Sequence, residues 1–483
     1  MPVRWSRPVA VKIDRRSIWL LLVLKGLRPL FFLALAVLFW YIVSLPTPQG
    51  LTPEGQRAMA IFMVCLVLWV SNVVPLAITS ILAIVLVPLL DVLSTQQTYA
   101  LFGNEAVFFI LGAFILAGAV MQSGLSNRVA LAILERFGAS PRRLLVSIFL
   151  LAASLSCLMS EHGVAAMLFP IVLEIAKGLE LRPGRSNYGK LLFLSLAWGC
   201  VIGGVATFLG GARVPLAAGI LKETTGETIG FLTYTVSVAP LVAAMLGVGY
   251  LVLTRTFPMD IESVEKAREV LGRRIYEMGK VSYREYAVGA VMAGTVVVWM
   301  TLGHSLGLAN IALTAVVLLF ALRLVRWKDI EEYVNWGIIL MYGGAIILGA
   351  SLEKSGAALW LADRTIGEWV EAPWAVVALF SLVTLVLTEG ISNAAVIAIL
   401  VPISVGMAEN FGMEPATLTY AVAVPAGLAF TLPLSTPANA IAVSSSYVTV
   451  RDMAKIGILM SASAWVLFNL VANLYWPLVG GGR

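Results

Sequence analysis

The sequence predicts an all-α polytopic membrane protein, with about eleven transmembrane helices and two re-entrant helical hairpins arranged as an inverted repeat. Three observations carry this. Of 483 residues, 60% are hydrophobic and only 12% charged, against roughly 25% charged residues in a soluble domain; the mean hydropathy is +0.93. The apolar residues gather into runs long enough to cross a bilayer, for which about 20 residues suffice. Lysine and arginine concentrate in alternate connecting segments, as the positive-inside rule requires. Such a composition excludes a soluble enzyme and a disordered chain. The net charge of +6 then reflects topology and predicts no nucleic-acid partner; the partner surface is the lipid bilayer.

The elements follow in order. A cytoplasmic basic arm, 1–27, holds Arg4, Arg7, Lys12, Arg15, Arg16 and Lys25. The run after it lacks a small-residue cleavage site and is predicted to be a retained helix, not a signal peptide. The runs 28–46, 57–75, 76–93, 106–122, 190–220, 229–253, 285–303, 308–322, 336–352, 417–448 and 454–477 are the predicted crossings. Two further runs, 144–176 and 374–408, are each long enough for a crossing and a half. They are broken by Ser160-Glu161-His162-Gly163 and by Ser392-Asn393. Irregular backbone at membrane depth survives only inside protein or beside a wet cavity, so both are expected to be hairpins that enter and leave on one side. With the N-terminus cytoplasmic, 123–143, 177–189, 254–284, 323–335 and 449–453 lie inside and the C-terminus outside. Segment 254–284 carries Arg255, Lys266, Arg268, Arg273, Arg274, Lys280 and Arg284, whereas 47–56, 94–105 and 304–307 carry no lysine or arginine. The stretch 260–284 is amphipathic and suits the inner membrane surface. Cys65, Cys157 and Cys200 sit in apolar runs with no metal-ligand spacing and no disulfide framework.

An internal repeat organises these runs. Asn104-Glu105-Ala106 followed by Gly112-Ala113-Phe114-Ile115-Leu116 aligns with Asn335-Trp336-Gly337 followed by Gly343-Gly344-Ala345-Ile346-Ile347. Ser160 to Pro170 and Ser392 to Pro402 each span eleven residues. The topology gives the two halves opposite orientation, and paired broken helices in inverted repeats put a substrate site between the breaks.

The chemistry is concentrated at those breaks. Thr388, Ser392 and Asn393 mark one. A later helix breaks at Leu432-Pro433-Leu434-Ser435-Thr436-Pro437-Ala438-Asn439, where two prolines within five residues cannot continue a helix. Freed carbonyls beside Ser, Thr and Asn oxygens are hard ligands suited to sodium, and half-helix N-termini offer N–H groups to an anion. Ser392-Asn393-Ala394 in a hairpin followed by Ser435-Thr436-Pro437-Ala438-Asn439-Ala440 resembles the divalent anion/sodium symporters, the dicarboxylate, citrate and sulfate carriers, over about residues 50–477. Their hallmark is a Ser-Asn-Thr motif in each hairpin and a Thr-Pro-Pro-Asn-like break in each partner helix. The resemblance implies a homodimer with scaffold helices 28–143 and 285–373, transport halves 144–253 and 374–483 that move as an elevator, and a linker 254–284. It implies sodium at Thr388, Asn393 and the Ala429 backbone. It implies substrate on Ser392, Asn393, Ala394, Pro433, Thr436 and Pro437. For the first half it implies a cation site at Ser156, Ser160 and Gly210, with substrate contacts at Ser160, Glu161, His162, Gly163 and Arg213.

The first half departs from the motif. Ser160-Glu161-His162 stands where the family has Ser-Asn-Thr, and Gly210-Gly211-Ala212-Arg213-Val214 where it has Gly-Thr-Pro-Pro-Asn. Even in the second half the motif's threonine is Ala394. Ionisable groups inside a membrane segment are expensive and functional by default. Sodium brings one positive charge; Glu161, Arg213 and His162 together sum to zero or one. Protonated His162 could replace a sodium, or fixed Arg213 could replace it outright and leave an exchanger, or the pair could merely fill a vestigial site. The expectation is a carrier of small divalent anions in the plasma membrane, not an enzyme: either a sodium-coupled symporter with an altered first site, or a sodium-independent or proton-coupled exchanger. A more remote alternative is an intramembrane enzyme using Glu161 and His162, and a channel is a further class. No Walker motif, zinc spacing or Gly-x-Ser-x-Gly elbow is present.

If both hairpin tips face one wet cavity, Ser160→Cys and Ser392→Cys, each made after replacing the native cysteines, are expected to react with a small polar thiol reagent and to be protected by substrate. A position that stays unreactive in every condition removes that tip from the cavity.

Overall fold

The computed structural model describes residues 18–365 and 372–479, and these are helical with no strand among them. The arm 1–17 lies outside the described residues. Helix α1, Ile18–Ser44, begins earlier than the predicted crossing and runs through Lys25 and Pro29. Gln56 of α2, Pro53–Ser71, is buried and donates to the Ile42 and Leu45 carbonyls, which satisfies the open end of α1. Thr52 caps α2 with Pro53 behind it. Then come α3, Leu76–Leu89, and α4, Thr95–Phe102. The sequence places 94–105 in a loop; α4 forms there because Ser94 and Gln97 make a reciprocal capping box. Asn104 caps α5, Glu105–Ser123, and Gly124, at φ 86°, turns the chain into α6, Leu125–Phe137.

Each predicted hairpin run is two helices with the break between them. The first is α7, Pro141–Ser156, and α8, Glu161–Gly178. The single run 190–220 is two helices, α9, Asn187–Gly204, and α10, Arg213–Thr225, separated by an irregular stretch at 205–212. After α11, Phe231–Thr256, the amphipathic segment is α12, Glu265–Met278. It buries Ala267 and Leu271 against α6 and α8, and is pinned by ion pairs from Arg274 to Glu174 and from Lys266 to Glu180. Helices α13, Tyr283–Leu306, α14, Leu308–Ala321, the single turn α15, Trp327–Ile330, α16, Trp336–Lys354, and α17, Ala357–Thr365, follow. The second hairpin is α18, Pro373–Gly390, and α19, Asn393–Met407. Run 417–448 is again two helices, α20, Pro415–Ala423, and α21, Pro437–Ser444, and the last long helix is α22, Val450–Leu470. Seven of the described helical stretches are long and apolar enough to cross a membrane.

The packing is reciprocal. The returning arm of the first hairpin, α8, lies against α9 of its own half and α21 of the other; the returning arm of the second, α19, lies against α20 of its own half and α10 of the other. The two breaks are thereby brought to the centre of the bundle. Close approach uses small residues, as in membrane proteins generally: Gly203 of α9 sits directly on the Ala153 backbone of α7, where a side chain has no room.

Candidate functional site

In the second half, Asn393 opens α19 directly after the N-cap Ser392, whose hydroxyl accepts from the Ala395 N–H at 3.2 Å. Thr388 is fully buried near the end of α18. Its hydroxyl lies 2.7 Å from Asn393 Oδ1 and 2.8 Å from the Ala426 carbonyl. A hydroxyl carries one proton and serves two such acceptors poorly. Three neutral oxygens around one proton are a donor set a hard cation would satisfy, and one of them belongs to the irregular end of a half-helix, the usual source of ligands for coupling ions. The resemblance implies the Ala429 carbonyl here. The structure brings Ala426 to Thr388, while the Ala429 carbonyl accepts from Asn439 Nδ2 at 3.0 Å.

Across the break, Thr436 caps α21 by accepting from the Asn439 N–H, with Pro437 at the first helical position. Asn439 is fully buried; its amide also donates to Ser435 Oγ at 3.1 Å, and its Oδ1 has no partner. Pro437 is exposed and Pro433 half-buried, with Leu434 between them 87% exposed. Ala394 is half-buried beside Asn393.

Glu389 is a residue that motif reading passes over. Its carboxylate accepts from the backbone N–H groups of Phe430, Thr431 and Leu432 at 2.9–3.0 Å and from Ser461 Oγ at 3.1 Å. One carboxylate therefore ties the second hairpin to the second break and to α22. The clue in the sequence is a carboxylate in the apolar stretch beside Thr388; its partners are backbone groups 41–43 positions away, which no motif displays.

The first half is built differently. Glu161 opens α8 and Arg213 opens α10. Glu161 is 0% exposed and Arg213 3%. Both terminal guanidinium nitrogens lie 3.3 Å from Glu161 Oε2. The Glu161 N–H donates to the Gly210 carbonyl at 3.0 Å, and Thr207 Oγ donates to the Cys157 carbonyl at 2.5 Å, so the hairpin tip is sewn to the first break. Gly204, Gly211 and Gly427 leave the room the pair occupies: a side chain on Gly204 would strike the Glu161 carboxylate, and one on Gly211 or Gly427 the guanidinium. Gly427 belongs to the other half, next to Ala426. The ion pair is thus adjacent to the oxygen cluster. His162 is 45% exposed, with Nδ1 3.5 Å from Glu161 Oε1. Ser156 Oγ is buried with no oxygen or nitrogen partner, and Ser160 precedes α8 without making a side-chain cap. Gly163 faces Met121 of α5, away from the ion pair.

The halves correspond position by position. Asn393 and Glu161 each open a returning arm, and Thr388 and Ser156 each stand five residues earlier. A neutral oxygen cluster in one half is matched by a carboxylate–guanidinium pair in the other.

A helical bundle with two hairpins, two broken helices and polar groups gathered at the breaks defines a membrane transporter. The chain matches the family described as "Sodium:sulfate symporter transmembrane region" over residues 28–481. It therefore belongs to the sodium:sulfate symporter family, the grouping of the divalent anion/sodium symporters that its breaks resemble. It is 29% identical to the sodium-dependent dicarboxylate transporter SdcS of Staphylococcus aureus strain RF122, covering 94% of this chain and 91% of that one, and 28% identical to that of strain MSSA476 over the same shares. Its fold is similar to that of the YdaH transporter of Alcanivorax borkumensis (TM-score 0.56, 15% identity, 80% of this chain and 89% of that). It is also similar to MtrF of Neisseria gonorrhoeae (TM-score 0.57, 12% identity, 91% and 97%).

Removing one member of a buried ion pair strands the other at about 3–5 kcal/mol. Arg213→Ala is therefore expected to lower the melting temperature in detergent strongly, and Glu161→Gln with Arg213→Ala to recover much of the loss. A double variant no more stable than the single one would remove the pair's electrostatic role. Hydrogen bonds to a charged acceptor contribute about 1.5–3 kcal/mol. Glu389→Ala, which leaves three amides unpaired, is expected to reduce transport more than Glu389→Gln, which keeps an acceptor oxygen. Equal initial rates in vesicles would deny Glu389 its positioning role.

Proposed function

We propose that the chain is a secondary active carrier of small divalent anions, a dicarboxylate, citrate or sulfate, in the plasma membrane. It works as a homodimer whose transport halves move against a fixed scaffold, with the N-terminus cytoplasmic and the C-terminus outside. Membership of the family and the similarity to the dicarboxylate transporters support the substrate class. The observation that carries the coupling is the contrast between the halves. Sodium as a transported coupling ion fits Thr388 Oγ, Asn393 Oδ1 and the Ala426 carbonyl. The repeat-related position already holds the guanidinium of Arg213 against Glu161. One sodium accompanies the substrate, and Arg213 stands in place of a second. The anion lies between the tips, with Ser392, Asn393 and the Pro433–Pro437 break on one side and Ser160 and His162 on the other.

A second reading is favoured by His162. It is accessible while its neighbour Glu161 is not, so it can exchange a proton with water within reach of the buried carboxylate. A proton then travels with the substrate.

Melting of the purified protein with succinate, citrate, sulfate or phosphate, each with and without sodium, tests the substrate class, since a ligand at 100 times its Kd stabilises by about 2.7 kcal/mol. The cognate dianion is expected to stabilise, sodium to add to this with first-order dependence, and Asn393→Ala to abolish the sodium effect and transport. Second-order sodium dependence with a flat pH profile would overturn both readings of the first site. If His162 carries a proton, transport changes through roughly pH 5–8 and His162→Gln flattens that profile.

A further inference from the structure

The outer side of the first hairpin carries a feature the transport reading leaves unused. Arg136, in the last turn of α6, and Arg142 and Arg143, in the first turn of α7, line one groove of about 570 Å³ together with Val146, Leu150 and Leu151. Among the described residues no carboxylate lines this groove or pairs with any of the three, whereas Arg57, Arg128, Arg273 and Arg274 are all paired. Arg142 finds a neutral partner instead: it donates to the Tyr250 hydroxyl at 2.6 Å and lies 5.8 Å from the centre of that ring. The first turn of a helix favours negative charge, because its N–H groups are unsatisfied and the dipole is positive there. The first turn of α7 has no acidic residue. Three guanidinium groups and a positive helix end thus share one groove with no anion of the protein's own.

Below the arginines the groove is apolar and open. Leu150 is 47% exposed, and Ser154 closes the lining eleven residues after Arg143. At about 1.5 Å per residue that is about 16 Å, one half of a hydrocarbon core about 30 Å thick. A cationic mouth leading into an apolar trough one leaflet deep has the charge and the polarity pattern of a phospholipid with a negative headgroup. We propose that this groove binds one anionic phospholipid, its phosphate on Arg136, Arg142 and Arg143 and an acyl chain along Val146, Leu150 and Leu151. The segment 123–143 is cytoplasmic in the topology read from the sequence, so the lipid belongs to the inner leaflet. Basic pockets between helices on that side recognise acidic headgroups. Because α7 is the first arm of a hairpin, the lipid would rest against an element of the transport half.

Native mass spectrometry of the delipidated full chain tests this with phosphatidylglycerol, with phosphatidylcholine of the same acyl chains, and with soluble glycerol phosphate. Phosphatidylglycerol is expected to be retained at least about tenfold better than phosphatidylcholine, and glycerol phosphate not to be retained. The triple variant Arg136→Gln, Arg142→Gln, Arg143→Gln is expected to lose that preference, while Arg268→Gln, at an exposed position of α12, keeps it. Leu150→Trp fills the trough, leaves every charge in place and sits at an exposed position, so it tests the site even if the triple variant does not fold; it is expected to cut phosphatidylglycerol retention as well. Equal retention of the two lipids overturns the proposal. So does wild-type retention by either groove variant, or an Arg268→Gln loss as large as theirs. Glycerol phosphate retained with the same arginine dependence would make this a site for free phosphate esters and overturn the lipid.

Discussion

Arg213 and Glu161 meet where the two halves of the chain meet, and the surrounding structure is arranged around that contact. Neither charge could be buried alone: an unpaired ion in an apolar interior is penalised by several kcal/mol even after relaxation. Paired, they impose conditions on their neighbours. Gly204 leaves space for the carboxylate and Gly211 for the guanidinium from within the first half, and Gly427 leaves it for the guanidinium from the second. The hairpin tip must stay on the first break for the carboxylate to reach, and the Glu161 N–H to Gly210 and the Thr207 hydroxyl to Cys157 hold it there. The break itself is what frees the start of α10 to point its first side chain inward. A continuous helix through 190–220 would have carried Arg213 round with the helix and out of reach.

The same physics, with opposite sign, governs the second half. There the anion is Glu389, and it is satisfied by backbone: three successive N–H groups of the broken stretch close on one carboxylate. Unwound backbone has unpaired donors as well as unpaired acceptors. Glu389 takes up the donors, which leaves the Ala426 carbonyl as an acceptor beside Thr388 and Asn393, the oxygens at which the proposed function puts its cation. In the first half the carbonyl of Gly210 is taken by the Glu161 N–H, and the positive charge is covalent. In the function proposed above, one architecture would thus yield a site that can exchange its cation and a site that cannot.

Most of the bundle was legible in the sequence because hydropathy and loop charge report lipid and water directly. Most of the predicted apolar runs and the amphipathic linker coincide with helices to within a few residues, though the first helix starts ten residues early and the runs 190–220 and 417–448 are each two helices. Where the pattern failed, the determinants were local or distant rather than periodic. Helix α4 depends on the Ser94–Gln97 cap in a stretch with little apolar content, and the break in the 190–220 run, expected at Gly210–Val214 from the resemblance alone, carries no proline to mark it as Pro433 and Pro437 mark its counterpart. At the site, Thr388, Asn393, Glu161 and Arg213 were visible as polar residues in apolar runs. The roles of Ala426, Gly427 and Asn439 were not, since a backbone carbonyl, an empty space and a buried amide acquire meaning only from what folds beside them. Gly163 illustrates the converse: it belongs to the motif by position but faces Met121.

The proposed stoichiometry constrains direction. A dianion with one sodium moves a net charge of −1, because the Arg213–Glu161 pair is neutral and travels with the protein. Across 100 mV, inside negative, inward movement of that charge is opposed by about 2.3 kcal/mol. A tenfold sodium gradient supplies about 1.4 kcal/mol. The sum is unfavourable, so a one-sodium carrier would accumulate its substrate only if another positive charge entered with it or another dianion left. A proton on His162 would meet the first condition and make the cycle electroneutral; exchange would meet the second, since −1 entering against −2 leaving moves a net +1 inward, which the potential favours. Replacing a mobile sodium by a tethered guanidinium, as proposed, would therefore do more than simplify the site. It would shift the energetic burden onto the exposed titratable group beside the pair, or onto a counter-substrate, and the two cases differ in whether the initial rate requires substrate on the far side.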